Sequence, residues 1–228
     1  NLEVNTTGGT NRQVTTASNI GFNGNVTIEP SSEVVFGTSY VAGNIVNNGT
    51  FTSTAVLGLA SYTDGTVSAT TNAQTIGGTG VYRNLAAAPT ANLTSLTVNN
   101  TNATGVTLSV PLSVSGTLTM TSGIINTTTT NLLTLGTATA AGILAGTPSA
   151  TNMVRGPFAR TIANANANTN YLLFPVGKTT YAPIWAAPAT TAVSVMKAET
   201  FDTNTGTQSA AISNMATNRR WELPLVSG

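Results

Sequence analysis

"SGTLTMTSGIINTTTTNLLTLG", residues 115–136, carries no charged side chain. Leu, Ile and Met alternate with Thr, Ser and Asn, the period-two pattern of strands with one buried face. The alternation predicts Leu118, Met120, Ile124, Leu133 and Leu135 inward, with Thr117, Thr119 and Thr121 outward. A charge buried between stacked strands is costly. A charge repeated on the outer face would repel its neighbours down a column of like residues. Thr and Asn avoid both penalties and hydrogen-bond along a stack. The missing charge therefore argues for a stacked rod, and against a catalytic centre in this stretch.

The same texture runs outward from there, over residues 24–150. "NVTIEP" (25–30), "EVVFG" (33–37), "NIVNNGTFTST" (44–54), "LTSLTVNN" (93–100) and "GVTLSV" (105–110) repeat the alternation, broken by Gly and Asn. "NGTFTST" (48–54), "DGTVSAT" (64–70) and "SGTLTMT" (115–121) form a degenerate repeat. Irregular circuits of roughly 15–25 residues, each with two or three short strands, predict an all-β fold of the right-handed parallel β-helix or β-solenoid kind. A β-sandwich of hairpins would want tight Asn-Gly or Asp-Gly turns between matched strands. Here "NG" at 23–24 and 48–49 and "DG" at 64–65 have poorly matched flanks. Residues 1–23, polar and Gly-punctuated, read as an N-terminal cap or lead-in.

Near residue 150 the texture changes. No charge lies between Asn84 and Val154, and nine lie from Arg155 onward. Pro, aromatic and cationic residues come together over 151–185. Residues 151–228 are therefore predicted as a β-sandwich-like domain, cut short, with "ANANANTN" (163–170) as a polar loop. The chain opens at Asn1 with no signal-peptide pattern and stops at "RRWELPLVSG", so it is expected to be a piece of a longer polypeptide.

Composition narrows the function. Charged residues make up 7% of the 228, against roughly 25% in an ordinary domain. Thr supplies about a fifth of the chain. The net charge is +1 with scattered basic residues, so no patch exists to neutralise a run of phosphates and nucleic acid is not an expected partner. There is no Cys and no His, which removes thiolate chemistry, disulfides and the commonest general base and metal ligand. No apolar run reaches about 18 residues, so no membrane insertion is expected in this segment.

"NLTSLTVNNTNATGVTLSVPLSVSGTLTMTSGIINTTTTNLLTLG" (92–136) closely resembles repeats in large secreted surface proteins of the Bacteroidetes. The block "VRGPFARTI…YLLFPVGKTTYAPI" (154–184) resembles the segment that follows those repeats. The resemblance covers residues 40–225 approximately. It implies an extracellular, cell-surface location, export by the type IX secretion route, and a role as adhesin, filament or structural element. It further implies partners that are other copies or neighbouring domains of the same surface protein, or surface glycans. The C-terminal sorting domain of that route is not in this chain. No catalytic residue and no cofactor comes with the resemblance, and the chain is expected not to be an enzyme.

Carbohydrate binding or cleavage by a β-helix is the alternative from another class. Glycoside cleavage needs two carboxylates roughly 5–10 Å apart, and Glu29 and Glu33, flanking "PSS", are the only close acidic pair in 24–150. They are expected to be a solubilising turn. Asp64 is isolated, and no Asp-rich repeat marks a calcium site, so no metal is assigned, although a site of backbone carbonyls stays open. "TLTMT" (117–121) and "TTTT" (127–130) invite an ice-binding array, but the strict T-x-T repeat is lacking. "GGTG" (77–80) has no phosphate-loop context. The sequons at Asn5, Asn25, Asn48, Asn92, Asn99, Asn102 and Asn126 follow from an Asn/Thr-rich composition. Tyr171, Phe174, Tyr181 and Trp185 are the candidates for a ligand platform through ring stacking, set against a role as the core of the second domain. Arg219, Arg220 and Glu222 beside Trp221 read as solvated strand neighbours.

Overall fold

Short runs of Val, Ile, Thr and Leu separated by Gly and Asn fold as strands throughout, because β-branched side chains suit a pleated, half-buried surface. The computed structural model describes residues 1–6, 13–16, 19–85, 92–163, 171–187, 192–203 and 218–227. Among the described residues there is no helix, and so none long and apolar enough to cross a membrane.

The chain visits three sheets in turn and then returns to the first. Its first circuit is β1 (Leu2–Val4), β2 (Gln13–Thr16) and β3 (Ile20–Phe22). The second is β4 (Val26–Ile28), β5 (Glu33–Phe36) and β6 (Ser39–Val41). The third is β7 (Ile45–Asn47), β8 (Thr50–Ser53) and β9 (Val56–Leu59), followed by an antiparallel hairpin of β10 (Ser61–Thr63) and β11 (Thr66–Ser68). The fourth is β12 (Gln74–Gly77), β13 (Val81–Asn84) and β14 (Ser95–Asn99). The fifth is β15 (Val106–Leu108), β16 (Leu112–Val114) and β17 (Thr117–Ser122). The sixth is β18 (Ile125–Asn126), β19 (Leu133–Leu135) and β20 (Ile143–Gly146). Then come β21 (Val154–Arg155), β22 (Phe158–Ile162), β23 (Leu172–Phe174), β24 (Val176–Gly177), β25 (Ile184–Ala186), β26 (Ser194–Phe201), β27 (Arg220–Glu222) and β28 (Leu225–Ser227).

Pairing runs between circuits. The first sheet has the order β1-β4-β7-β12-β15-β18-β21-β24, and the third β3-β6-β9-β14-β17-β20. The second is β2-β5-β8-β13, with β16-β19-β22 continuing separately after the fourth circuit. All these pairs are parallel, so the fold is all-β and mostly parallel. Neighbours along the chain do not pair here, which sets aside a hairpin arrangement for these strands. Residues 1–23, expected as a lead-in, supply β1–β3 in register with the second circuit. β21 and β24 still join the first sheet in parallel, and antiparallel pairing begins where β26 meets β22. β27 and β28 then pair with β26, and β25 with β23, also antiparallel. The proposed loop at 163–170 lies outside the described residues but for its first position.

Columns of like residues fill the space between the sheets. Leu2, Val26, Ile45 and Ile76 lie in register, as do Val34, Phe51 and Tyr82. The five residues read as inward from 115–136, Leu118, Met120, Ile124, Leu133 and Leu135, are all buried. Rings form a continuous internal row: Phe22 to Phe36 at 5.3 Å, Phe36 to Phe51 at 5.1 Å, and Phe51 to Tyr82 at 5.5 Å between centroids. Such pairs contribute about 0.5–1.5 kcal/mol each beyond area burial. Burial raises the Tyr82 phenol pKa, and its hydroxyl donates to the Gly77 carbonyl at 2.9 Å.

Side-chain amides tie circuit to circuit where the chain turns. Asn1 Oδ1 accepts from the Asn25 N–H (2.9 Å), Asn25 Oδ1 from Asn44 (2.8 Å), and Asn44 Oδ1 from Thr75 (2.8 Å). These steps span 24, 19 and 31 residues. The last exceeds the expected circuit because it contains the β10–β11 hairpin. At the same corner Gln74 Nε2 donates to the carbonyls of Val41 (2.8 Å) and Gly43 (3.0 Å). Asn100 Nδ2 in turn donates to Gln74 Oε1 at 2.8 Å. Gly123 is needed beside this corner: its φ is +102°, and a Cβ would stand 2.1 Å from the Asn100 carbonyl oxygen.

Candidate functional site

Between residues 24 and 150 the charged side chains are Glu29, Glu33, Asp64 and Arg83. Glu29 lies at a turn, its carbonyl accepting the Ser32 N–H at 3.1 Å. Glu33 faces away into a cross-strand cluster. Its Oε1 accepts from Thr52 Oγ1 at 2.8 Å and Arg83 Nη2 at 2.7 Å, and Arg83 Nε donates to the same Thr52 hydroxyl at 3.0 Å. β5, β8 and β13 each contribute one member. Burial works to raise the Glu33 pKa. The Thr52 hydroxyl, the Arg83 guanidinium and the Gln13 side chain outweigh it and hold it below the ordinary glutamate value. An ionised, ion-paired carboxylate beside an uninvolved Glu29 is not an acid/base dyad. Asp64 sits at the hairpin tip with φ 51°, next to Gly65. No group of three or more His, Cys, Asp or Glu is placed to hold a metal among the described residues.

Two surface grooves among the described residues are lined without charge. One is bordered by Asn100, Asn102, Ser122, Gly123, Ile124 and Thr151, another by Gly78, Thr79, Tyr82, Val110 and Leu112. A threonine lattice is not built either. Down the outer face of the third sheet the register places Tyr40, Gly58, Thr97, Thr119 and Ala145 in one column. Tyr40 stacks on Tyr62 of the hairpin at 5.1 Å, and a Cβ on Gly58 would meet the Tyr40 ring at 2.3 Å. In "TTTT" (127–130) Thr127 is buried, its hydroxyl on the Pro157 carbonyl, and Thr128 accepts the Asn131 N–H in a turn.

The four platform candidates divide. Phe174 is fully buried in the core, edge-on to Phe158 at 6.2 Å between centroids, and so cannot stack on a ligand. Tyr181 is half-buried, and burial raises its phenol pKa. Tyr171 and Trp185 stand out at 62% and 58% exposure. The ribbon β23–β25 explains the split. Leu172 pairs with Ala186 and Phe174 with Ile184, and these four pack on the core. Leu173 pairs with Trp185, and alternation puts Tyr171 on that same outward face.

Beside the ribbon the late charges pair singly. Lys178 Nζ meets Glu199 Oε1 at 2.8 Å, and Arg220 Nε meets Glu222 Oε1 at 3.1 Å. The Arg220 guanidinium lies 3.9 Å from the centroid of Phe201, so this residue is stacked as well as solvated. The Thr179 hydroxyl, then its N–H, donate to Asp202 and hold that carboxyl below its ordinary value. Arg219 Nη2 donates to Thr180 Oγ1 at 2.7 Å. Trp221, which sequence reasoning treated as background, donates its Nε1–H to the Ala182 carbonyl at 2.9 Å while its ring stays 40% exposed. Arg160, only 4% exposed, closes this end of the core by donating to the carbonyls of Leu173 (2.7 Å) and Gly142 (3.2 Å). Burial pulls its pKa down to about 10. No sequence signal separated Trp221 from an ordinary strand residue; its placement depends on β27 pairing with β26. In comparisons with known families, curated proteins and solved structures, the chain matches none.

Proposed function

We propose that the chain is a right-handed parallel β-solenoid serving as a non-catalytic structural or adhesive module of a large extracellular surface or filament-forming protein. The observation that carries this reading is the ladder of side-chain amides, Asn1 to Asn25 to Asn44 to Thr75, continued from the neighbouring Gln74 to Asn100. Each circuit is bonded to the next through side chains as well as backbone, so tension along the axis is shared among many short hydrogen bonds. The handedness follows the general preference of parallel crossover connections. At the far end the ribbon β23–β25 and the sheet β22–β26 form the two layers of a sandwich-like segment, meeting through Phe158 and Phe174.

The likeness of 92–136 and 154–184 to secreted Bacteroidetes surface proteins supports the location and the type IX route. It also supports partners that are neighbouring domains or copies of the same protein. The ion pairing of Glu33 supports a non-catalytic body. A turnover screen over polysaccharides is expected to find none, and robust turnover abolished by Glu29→Gln overturns the reading. Antibody labelling of intact source cells is expected to give surface signal, and signal only after lysis removes the extracellular assignment.

A further inference from the structure

The chain has two tryptophans, and both are on the surface of its C-terminal strands. Trp is on average a highly buried residue, and in the parallel body rings such as Phe36, Phe51 and Tyr82 are buried. The exposed rings are also held in place. Trp185 is on a strand whose alternate residues, Ile184 and Ala186, are packed on the core. Tyr171 immediately precedes β23 and shares the outward face with Leu173 and Trp185. Trp221 is fixed by its Nε1–H to the Ala182 carbonyl, three residues before Trp185, with the Arg219 guanidinium 6.0 Å from its ring centroid.

We infer that Tyr171 and Trp185 form a binding platform for an uncharged glycan chain. This goes beyond the structural reading of the rod. The ligand class follows from three features. Flat amphipathic rings carried on a paired ribbon offer faces to the C–H side of a sugar ring. Neither strand of the ribbon, "LLF" (172–174) or "IWA" (184–186), carries a charge, so an anionic polymer finds no counter-charge on it. The outward face is also small. Three-residue strands are about 10 Å long, whereas a stable protein partner covers about 800 Å² on each side.

Tryptophan fluorescence of the intact chain should be titrated with cellohexaose, xylohexaose, mannohexaose and, as a charged comparator, polygalacturonate. A saturable change is expected with at least one neutral hexasaccharide and none with polygalacturonate. Trp185→Ala and Tyr171→Ala should each weaken binding at least tenfold, read by calorimetry, with the far-ultraviolet circular dichroism unchanged. No saturable change with any neutral probe up to millimolar concentration overturns the proposal, as does equal affinity in Trp185→Ala. Self-association that is lost in Trp185→Ala also overturns it, in favour of a second copy as occupant. None of these outcomes bears on the structural reading, which is tested by turnover and surface labelling.

Discussion

The parallel body and the C-terminal strands use the same few residue types in opposite ways. In the body, Phe36, Phe51 and Tyr82 are inside, charges are scarce and Asn and Thr hold successive circuits together. In the C-terminal strands the charges gather, two of them pairing with carboxylates, and two tryptophans face outward. Stacking explains the difference. A column in a parallel stack brings equivalent positions together, so a residue tends to meet its own kind and an unpaired charge would be repeated. Antiparallel strands bring unlike segments together, and Lys178 finds Glu199 while Arg220 finds Phe201. Glu33 and Arg83 are the instructive exception in the body, because there the column admits charge as a pair, with Thr52 between them.

The contrast is broken most severely through the aromatic row. Phe51→Ala removes the ring between Phe36 and Tyr82 and should destabilise by about 3–5 kcal/mol, measured by denaturant unfolding. Trp185→Ala should stay within about 0.5 kcal/mol, although it deletes a larger ring. Comparable losses for the two would erase the distinction between regions. Next in size is Asn100→Ala, which leaves Gln74 Oε1 and the Asn72 carbonyl without their donor, an expected loss of about 1–3 kcal/mol. Retention of full stability would mean that the corner amides are not what joins the circuits.

Tyr62→Ala is expected to act locally. Loss of the stack on Tyr40 should lower stability by about 1 kcal/mol and speed amide exchange in residues 61–68 while the sheets stay protected. Exchange rising equally throughout would show the hairpin to be part of the cooperative body. The smallest effect belongs to Glu33→Gln, under about 1 kcal/mol at neutral pH for a partly exposed pair. Its sign is set by the lowered folded pKa. The stabilisation is complete above the ordinary glutamate range and fades as pH falls through the lowered value. Wild type and variant should therefore converge in stability under acid, and a gap that persists at the lowest pH would assign the effect to packing.

Much of the body could be read along the chain. Alternation located the inward residues of 115–136, because the period of a strand is local. The texture break near 150 does not mark the strand at which pairing reverses, because β21 and β22 still pair in parallel with their predecessors and the reversal comes at β26. Two of the four platform residues were separated from the others only by pairing. Tyr171, Phe174 and Trp185 look alike as aromatics near a polar loop, and no local rule tells which is inward.

By itself, the sequence determined an all-β chain with a sparsely charged, hydroxyl-rich exterior and no histidine or cysteine side chains. Those properties follow from residue type and spacing. Tertiary structure alone decided the register that joins residues 19 to 31 positions apart and brings Glu33 to Arg83 across 50. It also decided the internal row of rings, and the pairing of β23 with β25 that turns Phe174 into the core and Trp185 out of it. The physical reason is that a strand's hydrogen-bonding edges accept many partners. Which one is chosen, and so which alternate residues are buried, is settled by the packing of the whole set of strands.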